Sequence, residues 1–119
     1  MQSTKLKTLL IYKYLSENSD EQNPVSTTEL INMLKKNGIT AERKSIYSDI
    51  KILNEAGCNI LTIRSSKSGF SMADRKFDLA EVRLLIDAVS SAGFITPKKT
   101  AVLVEKLEGL LSLNQAKAL

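Results

Sequence analysis

Residues 26–60, STTELINMLKKNGITAERKSIYSDIKILNEAGCNI, constrain this chain more than any other stretch. Ser26 stands where an N-cap belongs, and Glu29 three residues later completes the pattern of a capping box. Leu30, Ile31 and Leu34 give the helix that follows its apolar face. Asn37-Gly38 ends it, because glycine accepts the left-handed conformation at the residue after the cap. Thr40 or Ala41 opens the next helix. In that helix Ile46, Ile50 and Leu53 are four and three apart and face inward, with Ile39 packing just ahead. Ala56-Gly57 closes it. The pattern is two helices joined by a tight turn, the second keeping a polar surface.

The flanking residues extend the pattern. Residues 4–17 have helical spacing, with Leu6, Leu9, Leu10 and Tyr14, and Ile11 beside them, as the expected buried stripe. Residues 17–24, ENSDEQNP, form a polar loop closed by proline. Residues 59–64 alternate through Ile60, Leu61 and Ile63 as a strand does, SSKSG at 65–69 makes a turn-rich tip, and 70–73 return as a second strand. The fold expected for residues 1–76 is mostly α: a winged helix-turn-helix of three helices plus a β-hairpin wing. That architecture sets one helix in the DNA major groove. From residue 77 the character changes. Asp78 and Glu81 repeat the capping-box pattern ahead of Leu79, Val82, Leu85, Ile86 and Val89, in a helix ending at Ala92-Gly93. Thr96-Pro97, cap and first helical position, start another. Val102, Leu103, Val104, Leu107, Leu110, Leu111 and Leu113 run along it. Residues 77–119 are therefore expected to form a two-helix hairpin, a linker or dimerisation segment.

Composition narrows the function. The 119 residues include no histidine and a single cysteine, Cys58. This removes the usual zinc ligand sets and the commonest general base near neutral pH. With no nucleophile–base pair and no glycine-rich phosphate loop, neither an enzyme nor a cofactor is expected. No apolar run approaches the ~18 residues that span a membrane, the N-terminus is too polar for a signal peptide, and the lone cysteine suits the cytoplasm. Cys58 reads as a small buried residue rather than a redox sensor. The net charge of +4 is segregated: residues 1–76 carry 12 Lys/Arg against 8 Asp/Glu, residues 77–119 carry 5 against 5. A basic excess confined to the helix-turn-helix points to a polyanion.

With Ile46, Ile50 and Leu53 inward, the second helix of the pair turns Arg43, Lys44, Tyr47, Ser48 and Lys51 outward. Arg43 and Lys44, in its first turn, are placed for base contact. Thr40 and Ser45 suit phosphates, and Tyr47, Ser48 and Lys51 suit phosphates or bases. Glu42 either accepts from cytosine or helps start the helix. Arg64 and Lys67 arm the wing tip for the neighbouring backbone. Asp49 is expected to be structural, hydrogen-bonding to the first helix or to a neighbouring backbone group, since a carboxylate near phosphates repels. Tyr12 and Tyr14 are expected to be core or semi-exposed packing groups. The apolar residues of 102–113 exceed one stripe, and the surplus suggests a partner: a second copy, giving a homodimer through 77–119, or a further domain.

Two motifs carry a family resemblance. The pattern R-K-x-x-Y-x-D-I-x-x-L-x-x-A-G falls on Arg43, Lys44, Tyr47, Asp49, Ile50, Leu53, Ala56 and Gly57. The pattern F-x-L-A-E-x-x-L-L-I-D-A-V falls on Phe77, Leu79, Ala80, Glu81, Leu84, Leu85, Ile86, Asp87, Ala88 and Val89. In tandem they resemble the N-terminal part of WYL-domain transcriptional regulators of bacteria. The resemblance implies a winged helix on promoter double-stranded DNA, a helical linker, and a C-terminal WYL domain that senses a ligand, in some members a nucleic acid. The chain departs from the family at Ser48, where arginine is frequent, and it stops at Leu119, where the family continues. It is read as an N-terminal fragment or a short member. The alternative reading is a winged helix used for protein–protein interaction or oligomerisation, with the basic face incidental.

Overall fold

The computed structural model describes residues 4–73 and 75–119. The chain is mostly helical, with one antiparallel β-hairpin, in the order α1 (Thr4–Asn18), α2 (Thr27–Lys36), α3 (Arg43–Glu55), β1 (Ile60–Ile63), β2 (Gly69–Met72), α4 (Leu79–Ser91), α5 (Pro97–Glu108) and α6 (Leu113–Lys117). It divides into two compact units, Met1–Asp74 and Arg75–Leu119. No helix among the described residues is long and apolar enough to cross a membrane.

In the first unit α1, α2, α3 and the hairpin enclose one apolar cluster. Ile11 and Leu15 come from α1, Leu30 and Leu34 from α2, Ile46, Ile50 and Leu53 from α3, Ile60 from β1, and Phe70 and Met72 from β2. Val25 and Ile39, from the connections, complete it. The inward face expected for α3 is the observed one. The stripe expected for α1 is observed only in part: Ile11 is buried and Leu10 and Tyr14 pack against the cluster, but Leu6 is exposed and Leu9 is 63% exposed. Ile11 and Leu15 are four apart, and one turn earlier their line reaches Lys7, so a cation occupies the place that a leucine count would fill with Leu6.

The joint between α2 and α3 follows from its backbone bonds. Gly38 has φ +77°, its N–H donates to the Lys35 carbonyl at 3.0 Å, and the Ile39 N–H donates to the Leu34 carbonyl at 2.9 Å. This pair of bonds is the Schellman closure, and it delivers Ile39 into the core. Having dipped inward at Ile39, the chain comes back out through residues 40–42 before it can helix again. Hence α3 starts at Arg43, two or three residues later than expected, with extended Glu42 as its cap and no side-chain capping bond. The capping box expected on α2 is half formed. Ser26 Oγ accepts from the Glu29 N–H at 3.1 Å, while the Glu29 carboxylate accepts instead from the Tyr14 hydroxyl at 2.6 Å. That bond joins α1 to α2. Burial and the Glu29 carboxylate push the Tyr14 phenol up to about 12.

The hairpin pairs Ile60 with Met72, Leu61 with Ser71, Thr62 with Phe70 and Ile63 with Gly69. Two devices fix it to the helices. Asn54, near the end of α3, donates to the Ile60 carbonyl at 3.1 Å and accepts from the Ile60 N–H at 2.8 Å. On the opposite edge Val25 and Phe70 exchange two backbone bonds of 2.8 Å. The approach there requires glycine at 69, because a Cβ would stand 2.4 Å from the Val25 carbonyl oxygen. The segment entering α2 is thereby locked against β2.

The second unit is α4, α5 and α6. Asp78 and Glu81 form the expected capping box on α4, and Thr96 caps α5 with Pro97 at its first position. The expected two-helix hairpin is corrected by a third, short helix. α5 ends at Glu108, and Ser112 with Gln115 forms a second capping box that starts α6. Leu110, Leu111 and Leu113 therefore do not continue α5. Arg83 donates to the Ala118 carbonyl at 2.9 Å, holding the terminus against α4.

Candidate nucleic-acid interface

The site is built on α3, and its buried face explains how that helix is held. Besides the three aliphatic residues, Asp49 is buried. Lys7 of α1 makes an ion pair with Asp49 Oδ2, and Thr8 Oγ1 donates to Asp49 Oδ1 at 2.8 Å. Lys7 Nζ also donates to the Ser45 carbonyl at 3.4 Å. A desolvated carboxylate persists only when paired and hydrogen-bonded. Here the pairing joins α1 to α3 and compensates the one buried acidic group of α3; the other acid of the helix, Glu55 at its last position, is exposed.

Lys44, Ser48 and Lys51 are exposed, at spacings of four and three. They form a single solvent face opposite Ile46, Asp49, Ile50 and Leu53. Arg43 and Tyr47 turn toward the hairpin. Tyr47 is half exposed and sets its ring against Phe70 at a centroid distance of 5.9 Å and an interplanar angle of 70°. That edge-to-face contact fixes the aromatic ring while leaving half the side chain in solvent. Arg43 Nη2 lies 3.4 Å from Thr28 Oγ1, at the start of α2.

Between the start of α2, the first turns of α3 and the hairpin lies an open concavity of about 520 Å³. Thr28, Arg43, Tyr47, Thr62, Arg64 and Ser68 are among its lining residues. Two guanidinium groups, a phenol and several hydroxyls thus converge from three elements. This is a donor-rich surface of the kind that takes phosphate oxygens or base edges.

Of the nine residues singled out from the sequence, the concavity gathers Arg43, Tyr47 and Arg64. Lys44, Ser48 and Lys51 occupy the outer face of α3 beside it. Thr40 is exposed in the turn before α3, and Lys67 is exposed at the hairpin tip. Ser45 is the least available: it is half-buried, and its hydroxyl donates to the Glu42 carbonyl at 3.0 Å. Its position on the Lys7 side of the helix makes it part of the first turn's own wiring. Thr28, Thr62 and Ser68 escaped the sequence reading. The signal for Thr28 was present in the Ser26-Thr27-Thr28 start of a capped helix, but its proximity to Ser68 depends on the Val25–Phe70 lock. Cys58 is half-buried rather than buried, and free. Among the described residues no group of three His, Cys, Asp or Glu side chains could hold a metal ion. Comparison with protein-family models, curated proteins and solved structures returns no match to this chain.

Proposed function

We propose that the chain is the DNA-reading part of a transcriptional regulator: a winged helix-turn-helix in which α3 is the recognition helix and the β1–β2 hairpin is the wing. The observation that carries this reading is the arrangement of α3. It is clamped on its inner face by Asp49 and Lys7, it is cationic on its outer face at Lys44 and Lys51, and it is flanked by a concavity that Arg43 and Arg64 both line. A helix about 10–12 Å wide fits a major groove about 12 Å wide. Arg43 and Lys44 then reach base edges. Thr40, Tyr47, Ser48 and Lys51 serve bases or phosphates, and Arg64 and Lys67 serve the adjoining backbone. The motifs that resemble the WYL-domain regulators support the same reading and assign ligand sensing to a separate domain. The cytoplasm is the corresponding location, and no catalytic role is assigned.

The test is selection and sequencing of bound molecules from a pool of random duplexes at two salt concentrations. Expected are an enriched motif with two-fold symmetry and an affinity that falls steeply with salt, as phosphate neutralisation releases counterions. No binding at low salt overturns the reading.

A second reading is favoured by the apolar surface of residues 75–119, where Leu84 and Phe94 are 69% and 90% exposed. It makes the chain an oligomerisation module with an incidental basic face. It predicts strong self-association, together with weak and salt-insensitive attachment to any duplex. Self-association alone does not separate the two readings, because under the first a homodimer sets two α3 helices on two half-sites.

A further inference from the structure

Lys44, Ser48 and Ile52 form one row along α3, each four residues after the last. Side chains so spaced are neighbours on a helix, so the row presents a cation, a hydroxyl and an aliphatic group in line. Ile52 is 51% exposed, whereas the other aliphatic residues of α3, Ile46, Ile50 and Leu53, are buried. It belongs neither to the apolar cluster nor to the residues packed against it. The fold of this unit thus makes no evident demand for an aliphatic side chain at 52. A β-branched side chain in a helix holds one dominant rotamer, so this one is ordered before any partner arrives. It has no donor or acceptor and is indifferent to phosphate. On the edges of the major groove the apolar mark is the 5-methyl group of thymine.

We propose that Ile52 reads that methyl group, making it a specificity-determining residue of the α3 surface; this rests on the DNA-binding reading above. With a rise of about 1.5 Å per residue, Ile52 lies about 12 Å along the helix from Lys44. At about 3.4 Å per base pair this is three to four pairs. The thymine that Ile52 serves therefore falls within about four base pairs of the position that responds to Lys44.

The test uses the whole chain and two random-duplex pools, one built with thymidine and one with deoxyuridine, which lacks only the methyl group. The selected thymidine duplex is then remade with deoxyuridine at single positions and titrated with wild type, Ile52→Ala and Ile52→Val. Melting temperatures of all three proteins confirm that this half-exposed position leaves the fold intact. Expected is one position in each half-site where loss of the methyl weakens wild type by about fourfold, the effect of burying one methyl-sized group. Ile52→Ala binds both forms equally, and Ile52→Val keeps part of the preference. A wild type indifferent to the methyl at every thymine overturns the inference, as does Ile52→Ala that retains the preference. Binding without any sequence preference also overturns it but leaves DNA binding standing, whereas no binding to either pool at low salt removes the reading on which it rests.

Discussion

Residues 75–119 are richer in apolar side chains than residues 1–74, with 23 in 45 positions against 28 in 74, yet they bury far fewer. Among the described residues the first unit buries twelve apolar side chains and the second only two, Val82 and Leu111. The difference lies in layout. In the first unit three helices and a hairpin converge from different directions, so each apolar stripe meets another. In the second, α4 and α5 pack on each other and leave Leu84, Phe94, Val102 and Leu113 in solvent. Exposed apolar groups in that density are the basis of the proposed association surface, and so few buried side chains are little for a unit of this size to stand on. One unit is a self-contained platform, and the other has the composition of half a core.

The largest effect expected from a single change lies at the buried pair of the first unit. Lys7→Ala leaves the Asp49 carboxylate buried without its counter-charge, and Asp49→Ala strands the ammonium. Each should destabilise the unit by about 3–5 kcal/mol in urea unfolding. The double variant Lys7→Met/Asp49→Leu should recover much of that loss, because it removes both charges together. A loss below about 1 kcal/mol in either single variant would mean that the pair is solvated and does not hold α3.

Leucine truncation separates the two units directly. Leu30→Ala, in the centre of the cluster, should cost about 2–5 kcal/mol by transfer and cavity terms. Leu84→Ala should change the stability of the monomer by no more than about 0.5 kcal/mol, as exposed positions do. Under the proposed dimer, Leu84→Asp and Phe94→Asp should instead shift sedimentation toward monomer. Unchanged association in both variants would move the interface off this face.

How much of this contrast was legible in the sequence depends on whether the cause is local. The caps at Ser26, Asp78 and Thr96 are written in three-residue patterns and were readable, as was the inward face of α3, because a four-and-three spacing of β-branched and leucine residues has one solution on a helix. Leu6 and Leu9 were misassigned because α1 has apolar residues at two angles, and only the position of Asp49 on another helix decides that Lys7, not Leu6, faces inward. The late start of α3 follows from the burial of Ile39, a tertiary event. The S-x-x-Q pattern at Ser112 and Gln115 was present but masked by the leucines around it. The concavity was legible only in part. Arg43 and Tyr47 share a helix, but their meeting with Arg64, Thr28 and Ser68 needs the Gly69–Val25 approach, which no local pattern announces.

The platform reading is sharpened at Arg43. Arg43→Ala should weaken the selected duplex by about 1–3 kcal/mol and relax preference at one base pair, if its guanidinium reaches a base edge. Uniform weakening across sequences with a shallower salt slope would reassign it to phosphate. Unchanged affinity and preference would remove it from the interface. Stability should barely move, since the side chain is exposed and its contact with Thr28 is long at 3.4 Å.

The smallest effect is expected at the α1–α2 joint, in alkali. All three tyrosines lie in residues 1–74, so tyrosinate absorbance reports on the platform unit alone. Burial and the Glu29 carboxylate raise the Tyr14 phenol from 10.0 to about 12, so the folded state holds the phenolic proton more tightly than the unfolded chain does. Where the native state binds more protons, stability falls with rising pH. The contribution is therefore complete below about pH 10 and is lost as pH climbs through about 12. Wild type should lose more stability than Tyr14→Phe between neutral pH and about pH 11, a difference measurable as diverging urea midpoints. Every other ionisable group is common to both proteins and cancels in the comparison. Parallel midpoints would place the Tyr14–Glu29 bond in free solvent, worth nothing to the joint between the two helices.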